Sequence, residues 1–235
     1  MTQALIAGAS SEIGRAVALE LVECGYDVRL WGRNGQELAA TKRVCEAAGT
    51  ATASVVDVRA IDQVEAGLAD IEAQGPLGVV VYAAGAFDWA PADTADLAAW
   101  QNVFDVNLTA AAVLTRLALP PLLRAAPSAL VYIGSAAGHQ VFAGNAAYVA
   151  SKHGLVALAG ATFLDVRDRD VKVSVISPGL VAAGNGLLSP AGATRPHELL
   201  RPSDVAAAVR FVVSFPARGC PTQIHLQPQH TPSHG

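Results

Sequence analysis

The sequence predicts an α/β fold in which a parallel, doubly wound sheet of about seven strands has helices on both faces. Short apolar runs alternate with longer helical patterns from one end of the chain to the other. Several of these runs are apolar on successive residues, which is typical of strands that are covered on both faces. The segments between the runs are about ten to twenty residues long, as crossovers between parallel strands require.

The order of the elements follows from these patterns. The predicted strands are the apolar runs at residues 5–7, 28–31, 54–56, 79–83, 130–133 and 171–176, with a weaker last strand at Leu226. The predicted helices are the amphipathic or alanine-rich segments at residues 13–24, 35–48, 61–73, 95–124, 146–167 and 203–214. The stretch from Gly179 to Pro202 is rich in Gly, Pro and Ser, and such a long loop in a compact domain is usually functional. We expect a lid over a site at about residues 180–201.

Composition limits the class of protein. The chain has 235 residues, of which 52% are hydrophobic and 15% charged, and its net charge is -4. This composition supplies one large apolar core and excludes intrinsic disorder, which needs few apolar residues and a high net charge. The acidic balance argues against a nucleic-acid-binding surface. We therefore expect a single domain over residues 1–235 with no nucleic-acid partner.

The apolar runs and the cysteines do not predict a membrane protein or an oxidising compartment. The most apolar run, Val79 to Phe87, is about half of the roughly 20 residues that a spanning helix needs. A longer run, Ala110 to Leu123, contains Arg116 and two adjacent prolines. The N-terminus has no basic leader, so a signal peptide is not expected. Three cysteines without metal-type spacing suit a reducing compartment, and the expected location is the cytoplasm.

A glycine-rich turn follows the first predicted strand and precedes a helix. Glycines at such a turn let backbone amides approach a pyrophosphate, and the helix N-terminus adds a positive dipole. Gly8 permits the tight turn and Gly14 permits close packing of the helix on the strand. A plain structural turn is the alternative, but the position after strand one favours a dinucleotide site. The residues expected to contact the cofactor here are Gly8, Ser10, Ser11, Ile13 and Gly14.

The end of the second strand indicates which dinucleotide binds. A fold that prefers NAD usually has an acid there, which binds the ribose 2′-hydroxyl. This chain has Arg33 instead, and its guanidinium can pair with a 2′-phosphate, which favours NADP(H). A solvated surface arginine is the alternative. Asp57 and Val58 are expected beside the adenine, and Ala84 and Gly85 let the chain pass close to the cofactor.

A tyrosine and a lysine share one face of the helix predicted at residues 146–167. Tyr148 and Lys152 are four residues apart, so their side chains are neighbours on the helix. A phenol has an ordinary pKa of about 10. A nearby ammonium lowers that pKa by stabilising the phenolate, which makes the tyrosine a usable general acid or base. Asn145 is in position to cap the helix.

Two further polar residues accompany this pair. Ser135 follows the strand at 130–133, so it is expected at the carboxyl edge of the sheet, where ligands of parallel α/β folds bind. Asn107 interrupts an apolar helical segment, where an asparagine is costly without a partner, so the helix at 95–124 is expected to break near it. A satisfied buried amide is the alternative reading of Asn107.

These residues together resemble the short-chain dehydrogenase/reductase family. The landmarks stand in the family's order and spacing along nearly the whole chain: the turn from Gly8 to Gly14, Asp57, Ala84-Gly85, Asn107, Ser135, Tyr148 with Lys152, and Pro178-Gly179. The resemblance implies a Rossmann-like fold and an NADP(H)-dependent carbonyl or 3-oxoacyl reductase that converts a ketone to a secondary alcohol. It also implies a homotetramer or homodimer in which the helices at 95–124 and 146–167 pack across an interface.

The resemblance implies a role for each matching residue. Tyr148 would donate a proton to the substrate oxygen, and Ser135 would hydrogen-bond that oxygen. Lys152 would bind the nicotinamide ribose and lower the pKa of Tyr148. Asn107 would hold a water that links Lys152 to solvent. Tyr148, Lys152, Pro178, Gly179 and Val181 would contact the cofactor.

The chain departs from the family pattern at positions around the cofactor. Glu12 replaces the middle glycine of the turn, and Ala7 replaces the threonine that often precedes the first glycine. Alanines replace the usual asparagines before Gly85, and the common threonine after Gly179 is also replaced. These departures affect the fit of the cofactor and leave the four catalytic residues in place.

Three segments are expected to surround the nicotinamide and form the substrate pocket. The residues that they contribute are Phe87, Trp89, His139, Phe142 and Leu187. This set favours a small-molecule carbonyl on an apolar or cyclic skeleton. His139 either orients a polar group of the substrate or stands at the rim. His225, His230 and His234 near the C-terminus are expected to form a polar tail, and no metal site is predicted.

Other functions remain open at this point. One is an alcohol dehydrogenase that works oxidatively with NAD, against which the arginine at the end of strand two argues. A second uses the same fold without net redox, as an epimerase or dehydratase. A third is a non-catalytic nucleotide sensor or scaffold, although such proteins generally lose the tyrosine or the lysine. Fold alone does not distinguish these functions.

Overall fold

Strands and helices alternate along the chain, as the sequence predicts. The computed structural model describes residues 1–230. Its strands are β1 (Gln3–Ala7), β2 (Asp27–Gly32), β3 (Ala51–Val55), β4 (Leu77–Tyr82), β5 (Ser128–Ile133), β6 (Val171–Pro178) and β7 (Gln223–Leu226). Its helices are α1 (Glu12–Glu23), α2 (Gly35–Glu46), α3 (Ile61–Gln74), α4 (Leu97–Phe104), α5 (Ala110–Arg124), α6 (Ala146–Val166), α7 (Pro190–Thr194) and α8 (Pro202–Ser214).

The seven strands form one sheet in the order β3-β2-β1-β4-β5-β6-β7. Every neighbouring pair is parallel. The chain builds β1, β2 and β3 outward in one direction and then returns beside β1 to build β4 to β7 in the other. Such a reversal opens a crevice at the carboxyl ends of the central strands. The predicted Rossmann-like, doubly wound sheet is confirmed.

Each face of the sheet is covered by its own group of helices, which explains the uninterrupted apolar runs. In β1, Ala4 and Ile6 face a core that includes Val17 of α1 and Val209 of α8. The alternate residue Leu5 faces the other core, which draws its largest helical side chains from α3, α5 and α6. Because successive side chains of a strand point to opposite faces, two cores require apolar residues at every position.

The segment Leu97–Arg124 is a continuous helical run of 28 residues that is long and apolar enough to cross a membrane by length and composition. Among the described residues it is the single helix with that property. Half of its most apolar window is buried in the protein. Leu114, Ala118 and Leu122 pack in the core on the sheet. Packing of this inner face therefore accounts for the apolar composition.

Two predicted segments differ from the structure. The third strand lies at Ala51–Val55 rather than at 54–56, because all five residues of β3 pair with Val28 to Gly32 of β2. The stretch predicted as one long loop after β6 contains two short 3-10 turns and helix α7. Its two ends are joined by a parallel bridge between Val181 and Leu200.

Candidate active site

The predicted site residues lie at the carboxyl edge of the sheet. Gly8 follows β1, Ala84 and Gly85 follow β4, Ser135 follows β5, and Gly179 follows β6. Strand order places the ends of β1, β4, β5 and β6 side by side. Residues that are far apart in sequence are thus brought to one crevice, as expected for a ligand site in a parallel α/β sheet.

The turn after β1 has no room for a side chain at Gly8 or at Gly14. Gly8 has a φ of +102°, and a Cβ there would lie 2.5 Å from the backbone nitrogen of Ala84. A Cβ on Gly14 would lie 2.2 Å from the carbonyl oxygen of Gly8. Ser11 caps α1, since its Oγ accepts from the Gly14 amide at 3.0 Å and donates to the Gly8 carbonyl at 2.8 Å. The first turn of α1 is therefore held close to the end of β1, in the arrangement that binds a pyrophosphate.

The end of β2 presents a guanidinium and no unpaired acid. Arg33 is exposed, and Asn34 caps α2 by accepting from the backbone amides of Gln36 and Glu37. The Glu37 carboxylate lies 2.6 Å from an Arg15 nitrogen. This donor set fits a dinucleotide that carries an additional phosphate, because an arginine stands where an acid would repel that phosphate.

Asp57, expected beside the adenine, is paired with Arg59. Arg59 Nη2 donates to Asp57 Oδ2 at 2.6 Å, and its Nη1 donates to Asn102 Oδ1 at 3.2 Å. The hydrogen bond from Arg59 holds the pKa of the Asp57 carboxyl below its usual value. Neither Arg15 nor Arg59 belongs to the residues that the sequence patterns predict for this site. Arg59 stands two residues after Asp57, but its side-chain direction could not be read from the sequence.

Ser135, Tyr148 and Lys152 meet behind this crevice. The Ser135 hydroxyl lies near enough to the Tyr148 phenol to lower its pKa, and Ser135 Oγ accepts from the Ala137 amide at 3.1 Å. Lys152 is 4% exposed, its Nζ donates to the Ile133 carbonyl at 3.0 Å, and that nitrogen lies 5.8 Å from the centre of the Tyr148 ring. Tyr148 and Lys152 lie one turn apart on α6, as their spacing predicts. The folded chain adds Ser135 from the end of β5.

Burial is the main cause of the pKa shifts of Tyr148 and Lys152. It raises the pKa of Tyr148, and the nearby Ser135 hydroxyl offsets part of that rise. Burial also lowers the pKa of Lys152 to about 8. The pKa of Tyr148 is thus raised and not lowered as expected, and the effect that opposes the rise comes from Ser135 and not from the ammonium. At neutral pH the phenol holds its proton, and Lys152 is an ammonium with few polar neighbours.

Asn107 lies in a π-helical turn (Asp105–Thr109) between α4 and α5, so the helix widens where it was predicted to break but remains continuous. The wider turn interrupts the helical ladder, a feature that is frequent at functional sites. Asn107 is fully buried, its Nδ2 donates to Ala86 O at 2.9 Å and to Ser151 Oγ at 3.0 Å, and its Oδ1 accepts from Ala86 N at 2.8 Å. Both amide protons are used, so the expected water can be held by the oxygen atoms of Asn107.

Phe87 and Trp89, two of the residues predicted to bind substrate, lie beside Tyr148. The Phe87 ring packs edge-on against the Tyr148 ring with 4.9 Å between centroids, and Trp89 continues this aromatic wall 6.2 Å from Phe87. Trp89, Phe142 and Leu187 are exposed. The two loops that carry Trp89 and Phe142 are joined by the hydrogen bond from Ala90 N to Gly144 O. Aromatic side chains therefore line one side of the opening above Tyr148.

Two polar residues near the opening have partners within the protein. His139 Nε2 and Ser177 Oγ are hydrogen-bonded at 3.0 Å, and the His139 ring lies 4.2 Å from that of His225. Burial lowers the pKa of His139. Asn145 was expected to cap α6, but its side chain makes no capping bond, and its Nδ2 donates to Ala143 O instead.

The histidines near the C-terminus do not form a metal cluster with other residues among positions 1–230. In that range no three His, Cys, Asp or Glu side chains come together in a way that could hold a metal ion. His225 and His230 are exposed. His234 lies outside the described residues.

The fold and this site define a dinucleotide-binding oxidoreductase, with a glycine turn, a phosphate-compatible arginine and a Ser-Tyr-Lys constellation at one sheet edge. The family model described as short chain dehydrogenase matches residues 2–187. The chain belongs to the short-chain dehydrogenase/reductase family.

Individual relatives agree with this membership. The chain is 30% identical to the 3-oxoacyl-acyl-carrier-protein reductase FabG of Staphylococcus aureus over 77% of this chain and 74% of that protein. It is 30% identical over 97% of its length to the glycine betaine reductase ATRR of Emericella nidulans, of which it spans 19%. The structure superposes on that of an actinorhodin polyketide ketoreductase with NADPH at a TM-score of 0.90, with 26% identity over 97% of this chain and 96% of that one.

Proposed function

We propose that this protein reduces a ketone to a secondary alcohol with NADPH, and that Tyr148 is the proton donor. The observation that carries the proposal is the convergence of three side chains: the Ser135 hydroxyl acts on the pKa of the Tyr148 phenol, and the nitrogen of the buried Lys152 lies 5.8 Å from the Tyr148 ring. Two hydroxyl groups that meet at the carboxyl edge of the sheet can both contact one carbonyl oxygen. When bound, NADPH supplies the hydride.

Each of the four residues has a distinct task in this proposal. Ser135 donates a hydrogen bond to the substrate oxygen and polarises the carbonyl, while Tyr148 transfers its proton to the same oxygen. The raised pKa of Tyr148 keeps the phenol protonated before the reaction. The Lys152 ammonium then stabilises the phenolate. Asn107 holds the water through which Lys152 exchanges protons with solvent.

The proposed cofactor contacts follow the crevice from the turn after β1 to the end of β6. Arg33 binds the 2′-phosphate, and Lys152 binds the nicotinamide ribose together with Tyr148. The other proposed contacts are Gly8, Ser10, Ser11, Ile13, Gly14, Asp57, Val58, Ala84, Gly85, Pro178, Gly179 and Val181. The NADPH in the similar ketoreductase structure supports this choice of cofactor.

The proposed substrate is a ketone on an apolar or cyclic skeleton, or a 3-oxoacyl thioester. The aromatic wall of Phe87 and Trp89 supports this class, because flat or apolar groups pack well on the edges and faces of aromatic rings. Phe142 and Leu187 complete the pocket, and His139 stands at its rim. The 3-oxoacyl name of the Staphylococcus aureus relative supports the thioester.

We further propose that residues 1–235 act as one cytoplasmic domain and that residues 180–201 form a lid over the substrate.

We also propose that the protein is a homodimer or homotetramer. An apolar groove of about 630 Å³ runs along the outer face of α5. Its lining includes Leu108, Ala112 and Val113. An exposed apolar groove offers a surface on which a second copy can bury its own apolar side chains, which supports pairing through this face.

The test is a screen of NADPH oxidation over cyclic ketones and 3-oxoacyl thioesters, followed at the nicotinamide absorbance band. Tyr148→Phe should lower turnover by about 10²–10⁴-fold and leave NADPH binding intact. Tyr26→Phe, far from the site, is the matched control and should retain activity. Full activity of Tyr148→Phe contradicts the proposed mechanism. Conversion of substrate without a change in absorbance would instead favour an epimerase or dehydratase.

A further inference from the structure

The residue that replaces the middle glycine of the turn contacts a distant part of the chain. Glu12 is the first residue of α1, and its Oε2 accepts a hydrogen bond from the backbone amide of Gly184 at 2.7 Å. Gly184 lies 172 positions later and begins a 3-10 turn at Gly184–Leu188. The contact therefore joins the proposed pyrophosphate-binding turn to the proposed lid.

The structure of the lid explains how the single hydrogen bond between Glu12 and Gly184 can fix its orientation. Its two ends are fastened together, because Ala182 N donates to Leu200 O at 2.7 Å and Leu200 N donates to Leu180 O at 3.1 Å. Beyond this base the chain turns sharply at Gly184, which has a φ of +47°. Gly186 is packed so tightly that a Cβ there would lie 2.0 Å from Val181 O. A contact with Gly184 therefore holds a compact turn and not a loose loop.

The carboxylate of Glu12 lies at the end of α1 that favours negative charge. Ser11 caps this helix, so Glu12 stands in its first turn, where the exposed amides and the helix dipole stabilise an anion. The same helix end is where the cofactor pyrophosphate is proposed to bind. A glycine at this position would neither reach the lid nor place a charge near the pyrophosphate.

We propose that Glu12 is a positioning residue with two effects. Its carboxylate holds the lid through the Gly184 amide and so fixes the Gly184–Leu188 turn, which carries the proposed substrate residue Leu187. Its charge weakens the binding of NADPH, because two anions share one helix N-terminus. This inference rests on the proposed function for the identity of the cofactor and the lid. The hydrogen bond itself does not depend on either.

Two substitutions separate the effects. Glu12→Gln keeps a side-chain oxygen that can accept from Gly184 and removes the charge. Glu12→Ala removes both. Glu23→Ala, an exposed acid at the other end of α1, is the matched control. The first measurement is hydrogen–deuterium exchange of peptides covering residues 180–189 in the cofactor-free protein, which requires neither turnover nor ligand.

Glu12→Ala should raise the exchange rate of these peptides by about fivefold, the factor that corresponds to the loss of one hydrogen bond. Glu12→Gln and Glu23→Ala should exchange at the wild-type rate. In kinetics, Glu12→Ala should raise the KM for the ketone and change kcat by less than about twofold, and Glu12→Gln should restore that KM. Wild-type exchange in Glu12→Ala, or equally fast exchange in Glu12→Gln, overturns the role of the carboxylate.

The second measurement is the Kd for NADPH by titration of nicotinamide fluorescence at low salt. Both Glu12→Gln and Glu12→Ala should bind about two- to fivefold more tightly than wild type, and Glu23→Ala should match wild type. An unchanged Kd in both variants overturns the electrostatic effect. If the wild type reduces no ketone, the proposed function fails, and the exchange result still decides whether Glu12 holds this segment.

Discussion

Asn107 Nδ2 donates a hydrogen bond to Ser151 Oγ across 3.0 Å, and this contact joins the π-helical turn to the helix that carries Tyr148 and Lys152. Ser151 Oγ donates in turn to the Tyr148 carbonyl at 2.8 Å. Both side chains are fully buried. Asn107 also holds the loop after β4 through Ala86. The Asn107–Ser151 pair therefore links this loop to the first turns of α6.

Removing the hydroxyl of Ser151 should weaken this bridge. Ser151→Ala leaves one buried proton of Asn107 without an acceptor, and we expect a loss of about 1–3 kcal/mol in the free energy of unfolding. Denaturant unfolding measures the loss. Ser203→Ala, on an exposed part of α8, should change stability by less than about 0.5 kcal/mol. Equal stability of the two variants would show that the bridge contributes nothing.

Arg33 should decide between the two nicotinamide cofactors. Replacing it with alanine removes a charge-assisted contact to the 2′-phosphate, so the KM for NADPH should rise by about 10- to 100-fold. The KM for NADH, which lacks that phosphate, should change by less than about twofold. Arg43→Ala on the exposed face of α2 should leave both values unchanged. An Arg33→Ala variant that still prefers NADPH as strongly as wild type would contradict this assignment.

Two glycine substitutions should have opposite effects on stability. Gly14→Ala places a Cβ 2.2 Å from the Gly8 carbonyl oxygen, so α1 must move away from β1, and we expect a loss of about 1–3 kcal/mol or more. Gly160→Ala lies within α6 with nothing within 4 Å of the added Cβ. It should be neutral or stabilise by up to about 1 kcal/mol, because alanine favours a helix. Thermal unfolding of both variants is the measurement.

Stability should rise with alkaline pH because of Lys152. Burial lowers its pKa to about 8 from the ordinary value of 10.5. Between these two values the unfolded chain binds more protons than the folded one, so the free energy of unfolding increases with pH in this window. Below pH 8 both states carry the proton, and the destabilising effect is constant.

The variant Lys152→Met isolates this effect. Between pH 8 and 10, wild-type stability relative to the variant should rise by about 1 kcal/mol per pH unit. Denaturant unfolding at several pH values provides the measurement. Lys42→Met removes a surface lysine that pairs with Glu46 and should keep the wild-type slope. A Lys152→Met variant with the same slope as wild type would mean that the native lysine titrates like an exposed one.

Much of the fold was predictable because its signals are local. The apolar runs of β1 and β4 predicted a sheet that is covered on both faces, and the two cores of the structure confirm this prediction. Gly8 marked a position where only glycine fits, and the four-residue spacing of Tyr148 and Lys152 placed them on one helical face. Each of these features depends on a few neighbouring residues, through backbone sterics or helical periodicity.

The site required contacts that no local pattern contains. Asn107 binds both Ala86 and Ser151, and Glu12 reaches Gly184, because the folded chain brings these side chains within hydrogen-bonding distance. The pKa values of Tyr148 and Lys152 depend on how completely packing removes water from them. Residue type and spacing thus predicted the class of fold and the candidate chemistry. Partners and proton affinities were decided by long-range packing and burial, which spacing along the chain does not encode.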